Sequence, residues 1–290
     1  MDNNDSRRGI LWMLATVLMF ASINATAKIL TQTYPVMQVV WARYFFQMLL
    51  LLLFLGPRLP RVIVTAKLRL QLIRSLLLLG TTILFFTGLK EIQIAEATAI
   101  MYVAPILVTA LSMPLLGEFV GPRRWIGVAF GFIGAVIIIR PGSGMANGMA
   151  LLPLGAACLH ALYQISTRHL SHSDGAMTTL AYTASTGAIL MTVALPFFWV
   201  PPEPKDWALM VALGLFATLG HFCMIKAYGA ANAATVAPFA YANLLWATLF
   251  GYILFSDLPD MWTIGGASVI IASGLYIYHR EHMHKKEPVT

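Results

Sequence analysis

Long, continuously apolar runs divide this sequence, and short polar or charged stretches separate them. A transmembrane α-helix needs about 20 apolar residues in a row, which is the length of these runs. The ten runs lie at about 9–29, 36–55, 69–89, 94–115, 122–139, 148–168, 177–199, 207–228, 233–254 and 262–279. A membrane β-barrel is excluded because the apolar residues do not alternate with period two. The pattern predicts an all-α integral membrane protein with ten transmembrane helices.

The composition excludes most soluble classes of protein. Only 11% of the 290 residues are charged and 59% are hydrophobic, whereas a soluble domain carries about 25% charged residues. A cytosolic enzyme, a secreted scaffold and a nucleic-acid-binding module are therefore excluded. The net charge of +7 needs no nucleic-acid partner, since basic residues in short loops orient membrane proteins. Cys158 and Cys223 lie inside apolar runs and indicate no disulfide framework.

Basic residues gather on one side of the predicted bundle. With the N-terminus inside, the cytoplasmic side holds Arg7, Arg8, Arg58, Arg61, Lys67, Arg69, Arg74, Arg123, Arg124, Arg168, Lys226, Arg280, Lys285 and Lys286. The outer side holds Lys28, Lys90, Arg140 and Lys205. This excess predicts that both termini are cytoplasmic. The first run also resembles a signal peptide, but we interpret it as a retained helix because its counterpart in the second half is a full span.

An internal repeat appears when the chain is shifted by about 140 residues. The aligned pairs include Phe20 and His160, Asn24 and Gln164, Lys28 and Arg168, Tyr102 and Tyr241, and Glu118 and Asp257. Each half holds five spans, an odd number, so the halves enter the membrane from opposite sides, as in many transporters. We predict inverted five-helix repeats at 1–141 and 142–290, the second with a short basic tail. A duplicated but passive scaffold is the alternative.

Several short motifs resemble those of a known protein family. They are Trp41-x-Arg43 in the second span, Tyr102-x-x-Pro105 in the fourth, Leu116-Gly117-Glu118 at its end, and a glycine-rich fifth span. Over its whole length the chain resembles the EamA type of the drug/metabolite transporter superfamily, and most of all the bacterial inner-membrane exporters of aromatic and other amino acids. Leu244 replaces the proline that the repeat predicts, and Ser256-Asp257 replaces Gly-Glu. Exact symmetry between the two gates is therefore not expected.

Polar and aromatic side chains near mid-membrane depth are the candidates for a substrate-binding site. They are Phe20, Asn24, Thr82, Phe85, Tyr102, His160, Tyr163, Gln164, His221, Tyr241 and Trp246. Asn24 and Gln164 must face protein or a wet cavity, since amides in hydrocarbon are costly. Hydrogen bonding between helices, worth about 0.6 kcal/mol, is the alternative to lining a cavity. The aromatic members either stack on a planar substrate or fill space.

Two histidines and one arginine bear on how transport is driven. His160 and His221 lie near the middle of their spans and suit either a proton relay or a neutral structural role. We favour the structural role, because no acidic residue lies at mid-membrane to pass a proton onward. The same absence predicts transport driven by the substrate gradient or by exchange. For Arg43 we favour a structural partner, such as a carbonyl or Glu96, over a substrate carboxylate.

The glycines of two spans and the C-terminal tail predict how the chain packs and how it meets the membrane surface. The glycines at Gly127, Gly131 and Gly134 and from Gly266 to Gly274 predict close helix packing within the chain, with homodimerisation as the alternative. The tail histidines, followed by Lys285 and Lys286, suit a basic membrane anchor better than a metal site. No catalytic constellation or phosphate loop is present, so we predict no enzyme activity, cofactor or metal.

These observations predict an inner-membrane transporter that works by alternating access. The resemblance implies small amphipathic metabolites as cargo, amino acids including aromatic ones first, with membrane lipid as the surroundings and a monomer or homodimer as the assembly. The alternative within this class is efflux of nucleosides, nucleotide sugars or drugs. A membrane-embedded enzyme is the alternative of another class, and it is disfavoured because no catalytic pair is present.

Overall fold

A computed structural model describes residues 3–116, 122–140, 148–170, 173–231 and 233–284, which are almost entirely helical. The helices of the first half are α1 (Asn3–Thr31), α2 (Val36–Leu55), α3 (Leu59–Val62), α4 (Leu68–Glu91), α5 (Ile94–Met101), α6 (Ala104–Leu116) and α7 (Pro122–Ile139). Those of the second half are α8 (Leu151–Leu170), α9 (Ala176–Ala194), α10 (Pro204–Ala230), α11 (Ala233–Val236), α12 (Asn243–Phe255) and α13 (Met261–His284). No strand occurs in these residues, so the all-α prediction is confirmed.

The described residues contain a helical segment for each of the ten predicted spans. Eight helical segments are long and apolar enough to cross a membrane, and two shorter apolar helices lie at Trp125–Ile139 and Met261–Ile277. Large apolar side chains remain exposed on the outside of the bundle, among them Leu53, Phe54 and Ile253, and lipid tails suit such a surface. The predicted boundary between the repeats, at residue 141, falls outside the described residues.

The helices pair in a pattern that repeats between the two halves. The first span, α1, packs on α10, while its counterpart α8 packs on α4, which is the counterpart of α10. The pairs α2 with α9 and α7 with α13 each join a helix to its own counterpart. Inverted repeats related by an axis in the membrane plane produce this exchange of partners. Each leading helix is therefore enclosed by helices of the other half.

The fourth and ninth spans are both broken. A turn at Tyr102 separates α5 from α6, and Pro105 follows immediately. In the ninth span the 3-10 helix Ala237–Ala242 separates α11 from α12, with Pro238 near its start. Proline lacks the N–H group that continues a helix. The proline that we expected at Leu244 is thus replaced by Pro238, six positions earlier.

Glycines let α7 and α13 cross closely. A Cβ atom added at Gly134 would lie 2.8 Å from the carbonyl oxygen of Gly266, and one added at Gly266 would lie 2.6 Å from that of Gly134. Nearby, the Ser273 hydroxyl donates a hydrogen bond to the carbonyl of Gly127. The predicted packing of these glycines within the chain is confirmed, and the oligomeric state stays a prediction.

Candidate substrate-binding site

Phe20 and His221 meet where α1 packs on α10. Their ring centroids are 5.5 Å apart in an edge-to-face arrangement. The absence of a side chain at Gly220 makes room for Phe20, because a Cβ atom there would lie 2.7 Å from the ring. The Nδ1 atom of His221 lies 2.7 Å from the carbonyl oxygen of Ala217. Since a carbonyl only accepts, Nδ1 is the donor, and the contact suits the neutral structural role.

His160 and Tyr163 form a second group, on the face of α8 that meets α4. Their rings are stacked with centroids 5.3 Å apart. The Tyr163 hydroxyl accepts a hydrogen bond of 2.7 Å from Arg74, whose guanidinium carbon lies 4.5 Å from the tyrosine ring centroid. The Nδ1 atom of His160 is buried and has no hydrogen-bond partner among the described residues. This histidine therefore keeps one ring nitrogen available to another group.

Arg74 contacts the candidate site residue Tyr163 but was not identified from the sequence. We counted it among the charges that orient the protein, but the structure buries it inside the bundle at 4% exposure. Its hydrogen-bond acceptors are the Tyr163, Thr167 and Thr183 hydroxyls and the Thr179 carbonyl. All of these acceptors are uncharged. Gln71 lies three positions earlier on the same face of α4 and is fully buried, so this face meets protein rather than headgroups, which the sequence alone does not reveal.

Thr82 joins α4 to α2. Its hydroxyl accepts a hydrogen bond from Arg43, lies 3.0 Å from the Tyr44 hydroxyl, and donates to the Leu78 carbonyl at 2.9 Å. The Arg43 guanidinium also lies 4.8 Å from the Tyr44 ring centroid. We expected a structural partner for Arg43, such as a carbonyl or Glu96. Arg43 has structural partners, but they are hydroxyls from its own helix and from α4 rather than a carbonyl or Glu96.

Tyr102 and Tyr241 lie at the breaks of the fourth and ninth spans. Their ring centroids are 4.9 Å apart, so the repeat correctly placed them at matching depth. The Tyr102 hydroxyl donates to the Ala240 carbonyl at 2.8 Å, and Asn243 also hydrogen-bonds to it. The Tyr241 hydroxyl packs against Gly274, where a Cβ atom would collide with it. These contacts connect the two broken spans to each other.

Asn24 and Gln164 are equivalent in the repeat and have similar burial. Both side chains are half-buried, and no described residue hydrogen-bonds to either amide. Helix pairing would give each amide a partner, as membrane helices usually do. Half-buried amides without protein partners instead suit a water-accessible space inside the bundle.

The remaining candidates lie in hydrophobic clusters. Phe85 is 7% exposed, and its ring centroid lies 6.4 Å from that of Phe86. Trp246 packs against a cluster that includes Met13 and Val17, and its ring centroid lies 6.1 Å from that of Phe250. Both side chains fill space in the folded bundle. Contact between either one and a substrate stays a prediction.

Contacts join the two halves at one end of the bundle, which we call the Lys28 end. Lys28 donates to the Ile92 carbonyl at 2.8 Å and to the Asp257 carboxylate at 3.1 Å. Its ammonium group lies 4.9 Å from the Phe255 ring centroid. We counted Lys28 as an exposed orienting charge, but the structure buries it at 7% exposure. The error arises because its partners come from distant parts of the chain.

Loop residues add to the contacts between the two halves at the Lys28 end. Arg140 forms an ion pair with Asp260. Burial raises the pKa of Asp260, but hydrogen bonds from Thr263 and Arg140 outweigh burial and lower the pKa overall. The Tyr34 hydroxyl donates to the Asp206 carboxylate at 2.6 Å, and this bond raises the pKa of Tyr34.

Three known transporters are similar to this chain over most of its length. An S-adenosylmethionine uptake transporter of Rickettsia felis is 26% identical over 273 residues, which cover 94% of this chain and 93% of the relative. A riboflavin transporter of Vibrio cholerae is 30% identical over 285 residues, covering 93% and 92%. A pseudopaline exporter of Pseudomonas aeruginosa is 26% identical over 277 residues, covering 92% and 94%.

A solved crystal structure shares the fold. It has a TM-score of 0.62 and 17% sequence identity, and the match covers 94% of this chain and 99% of the other. The EamA-like transporter family matches this chain twice, over residues 7–140 and again over residues 147–278. Two matched copies of one unit agree with the internal repeat and with the exchanged helix pairs. The chain therefore belongs to the EamA-like transporter family and is a membrane transporter of small metabolites.

Proposed function

We propose that the protein moves small amphipathic metabolites, first of all amino acids including aromatic ones, across the bacterial inner membrane by alternating access. The observation that carries this proposal is the pair of half-buried amides, Asn24 and Gln164, that have no partner among the described residues. The repeat relates these two positions, so each half supplies one polar group to the interior. A cargo with polar groups would provide the missing partners.

The aromatic contacts support a cargo with a planar part. The pairs Phe20 with His221 and Tyr102 with Tyr241 offer ring faces and edges from both halves. Aromatic rings favour stacked or edge-to-face partners over other contacts of equal area. S-adenosylmethionine and riboflavin, after which two relatives are named, both carry aromatic ring systems. Because the former contains a nucleoside, a nucleoside-bearing cargo is the second candidate.

The ion pair between the two halves at the Lys28 end supports alternating access. Lys28 and Asp257 come from different halves, so their ion pair would break when the two halves separate at this end. The repeat maps this pair onto Arg168 and Glu118, which suggests an equivalent ion pair at the other end. Glu118 lies outside the described residues, so this second ion pair stays a sequence-based expectation.

The acidic residues support transport without ion coupling. In the described part of the chain, each Asp and Glu lies in a loop or in the first or last turn of a helix. An ion-coupled transporter usually carries an ionisable carboxylate in the membrane interior. Transport driven by the cargo gradient or by exchange needs no such group. The sequence also contains no catalytic constellation, so the absence of enzyme activity stays our prediction.

Flux in liposomes tests this proposal. We expect purified protein in liposomes to exchange radiolabelled L-phenylalanine, S-adenosylmethionine or riboflavin against the same unlabelled compound without any imposed ion gradient. Protein-free liposomes serve as the control. Uptake that requires a proton gradient would contradict the energetic proposal and assign proton coupling to His160 or His221. Absence of flux for all three cargoes would contradict the proposed cargo class.

The predicted orientation has its own test. In a variant without Cys158 and Cys223, a cysteine at Arg61 is expected to resist a membrane-impermeant maleimide in intact cells, and one at Lys205 is expected to react. The basic residues around Arg61 should hold this loop in the cytoplasm. Labelling after cell lysis controls for intrinsic reactivity at both positions. The reverse labelling pattern would overturn the orientation and exchange the inner and outer gates.

A further inference from the structure

Arg43 is a buried cation whose hydrogen-bonding capacity the fold uses only in part. Its side chain is 9% exposed. Its Nη1 atom donates to Thr82 and, at 3.3 Å, to Tyr44. Its Nε atom is buried and has no acceptor in the described part of the chain. No carboxylate of the described residues forms an ion pair with it. The edge of the guanidinium that carries Nε is therefore left open to another acceptor.

Gln47 presents a second unsatisfied group on the same helix. It is 1% exposed, and neither its amide nitrogen nor its amide oxygen has a partner among the described residues. Residues four positions apart lie on one face of a helix, so Gln47 is one turn from Arg43. Buried polar groups are normally hydrogen-bonded, and leaving one unpaired lowers stability. Two such groups on one helix face point to a missing ligand.

His160 brings a third unsatisfied atom from another helix. Its Nδ1 atom is buried without a partner in the described residues. The helices that carry these side chains meet in the bundle: α2 of Arg43 packs on α10 of His221, and α8 of His160 packs on α4, which supplies Thr82, the hydrogen-bond partner of Arg43.

Arg74 provides a contrast within the same bundle. It is also buried, but four hydrogen bonds to hydroxyl and carbonyl oxygens use its Nε, Nη1 and Nη2 atoms. These bonds use four of its five N–H groups and hold Tyr163 in place. Every guanidinium nitrogen of Arg74 therefore has an acceptor in the protein, whereas Nε of Arg43 has none among the described residues, so Arg43 is the better equipped of the two to bind an external anion.

We propose that Arg43 and Gln47 bind the carboxylate group of the transported metabolite. This inference rests on the proposed transport function and names the chemical class of its cargo. A guanidinium presents two parallel N–H groups along one edge, which match the two oxygens of a carboxylate. The Gln47 amide nitrogen donates to the same group. A phosphate with two charges would need a second cation, and all three guanidinium nitrogens of Arg74 already donate to the protein.

Binding of matched acids and amides tests the proposal. The probes are L-phenylalanine and phenylacetate, each compared with its primary amide, and the measurement is the apparent Kd from thermal shift of the purified protein. The wild type is expected to bind the acids more tightly than the amides. Arg43→Gln is expected to raise the Kd for the acids about tenfold or more, since hydrogen bonds to charged groups are the strong ones. Arg43→Lys is expected to recover part of the loss, because lysine keeps the positive charge but lacks the parallel N–H groups of the guanidinium.

Gln47→Leu keeps the proposal testable if Arg43→Gln fails to fold. It is expected to raise the melting temperature of the free protein, because it removes a buried unpaired amide. It is also expected to weaken acid binding, which a purely structural residue would not do. Lys205→Gln is the control for nonspecific charge effects, since the Lys205 side chain is 75% exposed. This control is expected to leave the preference for acids unchanged.

The outcomes separate this proposal from the transport function. Equal binding of acids and amides by the wild type would overturn the carboxylate site, as would an unchanged preference in Gln47→Leu together with any folded Arg43 variant. Flux of riboflavin, which has no carboxylate, combined with equal binding of acids and amides would leave the transporter in place and remove the carboxylate site. A preference for acids without flux of any cargo would support the site and contradict transport.

Discussion

Gly266→Leu is expected to abolish the recovery of folded protein from detergent extracts. A Cβ atom at this position would lie 2.5 Å from Ile138 and 2.6 Å from the carbonyl oxygen of Gly134. A backbone oxygen cannot move aside as a flexible side chain can, so α7 and α13 would have to separate. Overpacking a well-packed site costs about 1 to 3 kcal/mol, and occasionally more. We expect a cost at the upper end, visible as loss of the monodisperse peak in size-exclusion chromatography.

The neighbouring glycine provides a matched control. A Cβ atom at Gly265 meets nothing within 4 Å, and this residue is exposed on the outside of α13. Gly265→Leu adds the same side chain to the same helix and should yield normal amounts of folded protein. It should even gain slightly in helix propensity. Equal yields from Gly265→Leu and Gly266→Leu would show that the α7–α13 crossing is looser than the structure indicates.

The features that sequence reasoning predicted correctly depend on local pattern or on the repeat. Span positions follow from continuous apolar runs, and close helix packing at the glycines of the fifth and tenth spans follows from glycine spacing. The matching depth of Tyr102 and Tyr241 follows from their equivalent positions in the two repeats. Such inferences need only knowledge of which residues are neighbours along a helix or are equivalent between halves.

The features that sequence reasoning missed depend on which helices meet. The repeat relates α1 to α8 but does not say that α1 packs on α10. Hence Lys28 and Arg74 looked like orienting charges, although the structure gives each of them buried partners from distant helices. Gln47 was not singled out at all, because a glutamine in an apolar run does not reveal whether its amide finds a partner.

Replacing Asn24 or Gln164 with leucine is expected to weaken cargo binding while the protein stays folded. If these amides contact the cargo, each substitution removes a partner from a polar group that becomes buried on binding. A buried polar group left unpaired costs about 1 to 3 kcal/mol, which corresponds to a loss of affinity of roughly five- to a hundredfold. We expect the larger loss for Gln164, because it lies one helical turn from His160 on the same face of α8. The measurement is the Kd for labelled L-phenylalanine or riboflavin, whichever the wild type binds.

Gln32→Leu is the matched control for these variants. It makes the same chemical change at an exposed position beyond the end of α1, where the amide donates to the Lys90 carbonyl at 3.1 Å. The alternative role of Asn24 and Gln164, hydrogen bonding between helices, predicts a different result: a modest fall in melting temperature with cargo affinity and preference unchanged. In the structure neither amide has a described partner to lose, so a fall in melting temperature is not expected. Unchanged affinity in folded variants at both positions would remove these amides from the binding site, and with them the observation on which the cavity rests.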